Sequence, residues 1–206
     1  MVRKFDYARA AIAAVVASGL LSTVAVAQAI TPAADERERL KACEAKICAT
    51  ALKKSGDGPL VCSIQKTWTK SYIENGVRQK KISWTFGDAQ CGVDVNLSNG
   101  DIVSALTKPA HTVQFAEHKV ACNVEREDSI TKVNLTLSPK LEFENGKATK
   151  AWLNVSNIEA PTLIKGAIWT VAQLEDRFGL FHSDLISEVN EFLGSKCAKR
   201  YPDLAK

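Results

Sequence analysis

Six cysteines, Cys43, Cys48, Cys62, Cys91, Cys122 and Cys197, all follow an uncharged apolar run over residues 10–29. An even number of cysteines in an exported chain predicts a framework of disulfides. That expectation constrains the fold more than any other feature, because each link dictates which distant segments must meet.

The export half of the argument rests on MVRKFDYARA, with Arg3, Lys4 and Arg9, and on the AIAAVVASGLLSTVAVAQA that follows it. A basic start, an apolar middle and small-x-small exits at Ala25-Val26-Ala27 and Ala27-Gln28-Ala29 predict a secretory signal peptide over residues 1–27, cut after Ala27 or Ala29. The competing reading is a retained anchor, since residues 10–29 approach the length that spans a bilayer. The alanine richness, Ser18, Gly19, Ser22, Thr23 and the small closing residues favour removal. No cysteine stands at the cut to carry a lipid, and no later segment reaches spanning length, so the sequence predicts a periplasmic protein with no stable membrane anchor after cleavage.

Removing 27 of the 206 residues leaves 179, which suits a linker over 28–39 and one domain over 40–206. The formal charge falls from +4 to +2, because Arg3, Lys4, Arg9 and Asp6 leave with the signal. A nearly neutral chain gives no footprint for nucleic acid, which requires a concentrated basic face. RQKK at 78–81 is read as a solvated strand edge.

The cysteines lack a C-x-x-C, so a thioredoxin-type redox site has no support, and the lone C-x4-C of Cys43 and Cys48 is too little for zinc beside His111, His118 and His182. No metal and no cofactor are expected. On a helix Cys43 and Cys48 point about 140° apart and sit too far from each other to bond. The stripe Leu40, Cys43, Ile47 and Ala51 turns Cys43 toward the body of the protein and leaves Cys48 on the flank. The helix is expected to end near Lys53-Lys54 before SGDGP. Reach across that short return then pairs Cys48 with Cys62, the two strand cysteines Cys91 with Cys122, and Cys43 with Cys197 in the last helix.

Three Asn-Gly pairs, at 75–76, 99–100 and 145–146, read as hairpin turns of an antiparallel meander. Period-two alternation supports the strands between them: Val93, Val95 and Leu97; Val113 and Phe115; Val120, Cys122 and Val124; Val133, Leu135 and Leu137; Leu141 and Phe143; Ala151, Leu153 and Val155. VRQKKISWTF (77–86) and DIVSAL (101–106) are read as further strands. The chain ends in two amphipathic helices, one from Pro161 to Phe178 and one opening at Ser183. The predicted fold class is therefore α+β: one N-terminal helix, a large meander of seven to nine strands, and two C-terminal helices packed on the sheet.

Candidate chemistry is thin. LEDRFGLFHSDL brings Glu175, Asp176, Arg177, His182 and Asp184 around a helix break, and the catalytic candidates are His182, Glu175 and Asp184. Helix capping and solvated helix ends explain the same residues without catalysis. No G-x-S-x-G and no H-E-x-x-H is present. His111 and His118 are expected as separate surface or hairpin histidines, and Asn96, Asn134 and Asn154 of three Asn-x-Ser/Thr triplets as ordinary strand residues.

The tryptophans offer the sharper possibility. In the expected hairpin, Trp84 shares a face with Ile82 and Phe86, and Trp68 one with Ile64 and Tyr72. Trp68, Trp84, Phe86 and Trp152 are the candidate ligand-binding residues of an apolar cavity between sheet and helices, set against an ordinary filled core. Three functions follow in order: a non-catalytic periplasmic protein that binds an envelope protein or component, a carrier of an apolar small molecule, and a hydrolase-like enzyme centred on His182.

Overall fold

The structure, a computed structural model, describes residues 29–78, 80–127, 129–178 and 182–205; the segment 1–27, expected as a signal peptide, lies outside the described residues. Helix α1 (Glu36–Lys53) begins earlier than expected, with Glu36 and Glu38 at the positive end of its dipole and Lys53 at the negative end. Lys54, at φ 49°, turns the chain out of the helix. Residues ahead of α1 are not a free linker: Ile30 is buried, and the Gln90 side-chain amide donates to the Thr31 carbonyl at 3.0 Å.

The chain then runs through β1 (Pro59–Trp68), α2 (Lys70–Arg78), β2 (Ala89–Ser98), α3 (Asn99–Thr107), β3 (Ala110–Gln114), β4 (His118–Arg126), β5 (Ser129–Leu137), β6 (Lys140–Glu144), β7 (Lys147–Trp152) and β8 (Val155–Glu159). Helices α4 (Thr162–Phe178) and α5 (His182–Glu191) follow, and a π turn over Phe192–Lys196 leads into α6 (Cys197–Arg200). Eight antiparallel strands with helices on them make the α+β fold that the alternation predicts.

The strands form two sheets, ordered β1-β2-β4-β5-β8 and β3-β6-β7. Three extended stretches cross from one sheet to the other, β3 into β4, β5 into β6 and β7 into β8, so the shared orders β4-β5-β8 and β3-β6-β7 describe one ribbon of three strands bent across its middle. The bend is chemically marked. Asn154 takes φ 49° and its side-chain amide donates to the Ser138 carbonyl at 2.9 Å, while the Phe115 amide donates to the Pro139 carbonyl at 2.9 Å. Pro139, without an N–H, cannot continue the ladder. The expected single strand through Ala151, Leu153 and Val155 is accordingly broken at Leu153-Asn154.

Two of the three Asn-Gly pairs are not hairpins. Asn75-Gly76 lies inside α2, and Asn99-Gly100 opens α3, where Asn99 accepts a hydrogen bond from the Thr50 hydroxyl at 2.7 Å and donates to the Asp57 carbonyl. DIVSAL is therefore helical, with Ile102 and Ala105 buried at a three-residue spacing that a strand period misses. Asn145-Gly146 does make the β6–β7 turn, with φ 51° and 79° as a type I′ hairpin demands.

The disulfides pair as Cys43–Cys62, Cys48–Cys197 and Cys91–Cys122. The last matches expectation; the other two correct it by exchange of partners. Direction decides over reach. Cys43 faces the sheet, where Cys62 sits with Leu60 and Ile64 on the inward face of β1. Cys48 points to the flank that α6 covers, and both Cys48 and Cys197 are fully buried. Arg200 reinforces that contact by pairing with Glu44 at 2.9 Å, and the Tyr201 hydroxyl donates to the Lys41 carbonyl at 3.1 Å.

One apolar face of the main sheet carries Ala89 and Cys91 on β2, Cys122 and Val124 on β4, and Val133 on β5, and Ile164 of α4 closes over it. At the edge of the smaller sheet, α5 replaces a missing strand. Asn190 accepts the Ala148 N–H at 2.8 Å and returns a hydrogen bond to the Ala148 carbonyl at 2.9 Å, satisfying an edge that would otherwise recruit another chain.

Candidate functional site

The candidate site arises where the chain leaves the sheet between β1 and β2. Thr69 caps α2 by accepting the Tyr72 N–H, and Asp88 accepts the Lys70 N–H at 2.8 Å. The helix ends in a Schellman arrangement: Lys81 at φ 58° donates from its N–H to the Arg78 carbonyl, and the Ile82 N–H reaches the Val77 carbonyl. The motif brings Ile82 beside Val77, and both join Ile73 in one apolar wall. Residues 77–86 are thus helix end and loop, not the second strand of a hairpin.

Trp84 and Phe86 form the floor. Their rings meet edge to face at 5.0 Å, and the Trp84 indole N–H donates to the Gly87 carbonyl at 2.9 Å. The opposite wall is Ile164, Ile168 and Val171, spaced four and three residues apart along α4, with Val124 of β4 behind them. These walls enclose a cleft of about 480 Å³, in the range of small-molecule sites. Lys81 is the one charged residue among those that line it.

Gly87 anchors the floor to β4. Its N–H donates to the Glu125 carbonyl at 2.8 Å, and a Cβ at this position would lie 2.6 Å from Glu125 Cβ. Only glycine permits the approach. The Glu125 carboxylate in turn accepts the Asp88 N–H at 3.1 Å and the Ile30 N–H.

Of the four aromatic candidates, the cleft therefore gathers Trp84 and Phe86. Trp68 ends β1 opposite Ala89 and does not line it. Trp152 lies on β7 in the other sheet, with the Lys140 ammonium 4.6 Å from its ring centre and His182 edge-on at 6.1 Å. Trp169 is exposed on the outer side of α4. The residues that sequence reasoning missed are Ile73, Val77, Ile164 and Ile168. The four-residue spacing of the first two, inside a segment assigned to a hairpin, was the available signal.

The polar candidates do not assemble into a reaction centre among the described residues. His182 Nδ1 donates to the Ala151 carbonyl at 2.9 Å, Asp184 pairs with Lys80 at 2.9 Å, and the side chains of Glu175, Asp176 and Arg177 lie outside the described residues. His111 stands 3.2 Å from Asp101 and ties β3 to α3. His118 is buried at the start of β4, which corrects its expected place as a surface or hairpin histidine. It shares the apolar face with Val120 and Cys122, accepts the Asn96 N–H on Nε2 at 3.0 Å and donates from Nδ1 to the Ala116 carbonyl, filling the gap where β2 and β4 part beyond Val93.

Glu36 is the other buried ionisable group of note. Burial pushes its carboxyl up, but the Thr67 hydroxyl at 2.6 Å, the Thr67 N–H at 3.0 Å and the Lys66 ammonium outweigh that and hold it below the usual carboxylate range. Among the described residues no group of histidine, cysteine and carboxylate side chains is arranged to hold a metal, and no helix is long and apolar enough to cross a membrane. Comparison of the chain with protein-family models, curated proteins and solved structures finds no match.

Proposed function

We propose that this is an exported, non-catalytic binding protein of a Gram-negative periplasm, which holds an apolar small molecule with an acidic end in the cleft between α2, Trp84, Phe86 and α4. The single observation that carries this reading is the cleft itself: apolar walls from three separate elements around about 480 Å³, with Lys81 as the one charged lining residue. Three disulfides suit an oxidising compartment, and the basic start, apolar run and small-residue exits of residues 1–29 supply the route there. The engagement of His182 with Ala151 lends no support to a hydrolase centred on it.

The test is mass spectrometry of the mature protein purified from its native periplasm without detergent, first native and then denatured. Release of a reproducible small apolar acid, lost in an Ile168→Glu variant that keeps its native melting curve, supports the carrier. A ligand-free mass that also fails to bind sodium laurate by tryptophan fluorescence overturns it, and the binding function must then be sought in a crosslinked protein partner.

A further inference from the structure

Ile30 is buried, and its backbone N–H points at a carboxylate on β4. Ala29, immediately before it, is exposed, and Ala27-Gln28-Ala29 is one of the two small-x-small exits of the leader. Cleavage at that exit makes the Ile30 nitrogen a chain terminus. We propose that the leader is cut between Ala29 and Ile30, and that the α-ammonium formed there pairs with Glu125 to lock the floor of the cleft. The inference rests on the export reading above.

The chemistry is a hydrolysis by a signal endopeptidase. Water breaks the Ala29–Ile30 amide; its hydroxyl goes to the Ala29 carbonyl, which leaves as a carboxylate on the leader. Its remaining hydrogen goes to the Ile30 nitrogen, which takes up one further proton at neutral pH. A donor with a single hydrogen becomes a cation with three.

Three observations favour this cut over the one after Ala27. First, Ile30 anchors its own position, being only 8% exposed, so the new terminus is delivered to Glu125 rather than left in water. Second, no lysine or arginine among the described residues forms an ion pair with Glu125; amide N–H groups from Ile30 and Asp88 are what face its carboxylate. A part-buried carboxylate held by neutral donors alone is short of a counter-charge, and an ammonium at Ile30 supplies it. Third, the consequences run to the cleft. Glu125 holds Gly87 and Asp88; Gly87 holds the Trp84 indole, and Asp88 holds the first turn of α2. One ionic contact at the terminus therefore braces two walls of the cleft, and processing tightens a site whose walls the uncut chain already brings together.

The experiment has two arms. The intact mass of the protein from its native periplasm is expected to start at Ile30. A start at Gln28 overturns this inference and leaves export standing, whereas an unprocessed precursor overturns both. In the second arm, two chains are made with a cleavable tag that leaves no added residue, one beginning at Ile30 and one at Gln28. The Ile30 chain should melt about 5–10 °C higher and show slowed hydrogen exchange at the Gly87 and Asp88 amides. In the Glu125→Gln background that difference should vanish. Equal melting and exchange of the two unsubstituted chains overturn the proposal, whether or not the Glu125→Gln variants fold.

Discussion

Replacing Cys48 and Cys197 together by alanine should destabilise the protein more than removing either other disulfide. The Cys48–Cys197 link closes a span of 149 residues, against 19 for Cys43–Cys62 and 31 for Cys91–Cys122. In the chain-entropy relation these spans correspond to about 5, 3 and 4 kcal/mol. The Cys91–Cys122 link shortcuts the longest loop, but the dependence is logarithmic and the figure moves by only about 0.2 kcal/mol. Both Cys48 and Cys197 are fully buried, so the lost sulfurs add a cavity cost of order 1 kcal/mol. Alanine is the right replacement, because serine would leave a hydroxyl without a partner. Urea titrations of the three double-alanine proteins, analysed by linear extrapolation, give the comparison directly. Thermal melts should place the Cys48/Cys197 variant about 10–20 °C below the parent. If that variant loses no more stability than the Cys43/Cys62 variant, loop closure is not the source of stabilisation here.

Lys46 separates Cys43 from Cys48, so trypsin resolves the pairing: a non-reduced digest should yield 42–46 linked to 55–66, and 47–53 linked to 197–199. Recovery of 47–53 linked to 55–66 would restore the exchanged pairing. Gly87→Ala should cost about 1–3 kcal/mol in urea melts, since a methyl 2.6 Å from Glu125 Cβ must push β4 aside; a cost near zero would show that the loop yields freely. Glu36→Gln should cost about 1–2 kcal/mol at pH 7 through weakened hydrogen bonds from Thr67. Because the folded Glu36 carboxyl is depressed, its stabilisation is present above the unfolded carboxylate range and fades as pH falls through the folded value. The gap between parent and variant should therefore close as pH falls below the ordinary carboxylate range, and a gap that widens in acid would reverse the assigned sign.

The alternation of Val93, Val95 and Leu97, of Val120, Cys122 and Val124, and of Val133, Leu135 and Leu137 was enough to place β2, β4 and β5, because a strand's inward face is a local property of every second residue. The parity of six cysteines was likewise enough to expect full pairing, which needs only composition and compartment. What the partners are, and what surrounds them, was settled by the tertiary structure. Three copies of Asn-Gly became a helix interior, a helix start and a hairpin turn, because the dipeptide permits a turn and the neighbours decide whether one is made: Ile73 and Val77 need α4 opposite them, while Thr50 claims Asn99. Cys43 and Cys48 exchanged partners because side-chain direction relative to β1 and α6 outweighs distance along the chain. Trp152 is absent from the cleft that Trp84 and Phe86 share, because the sheet bends at Pro139 and Asn154 and carries β7 into the other sheet, while Trp68 ends the edge strand β1 and does not line it. Periodicity is written in neighbours a few residues apart; the bend, the pairing and the cleft are contacts between segments tens of residues apart, which no local pattern encodes.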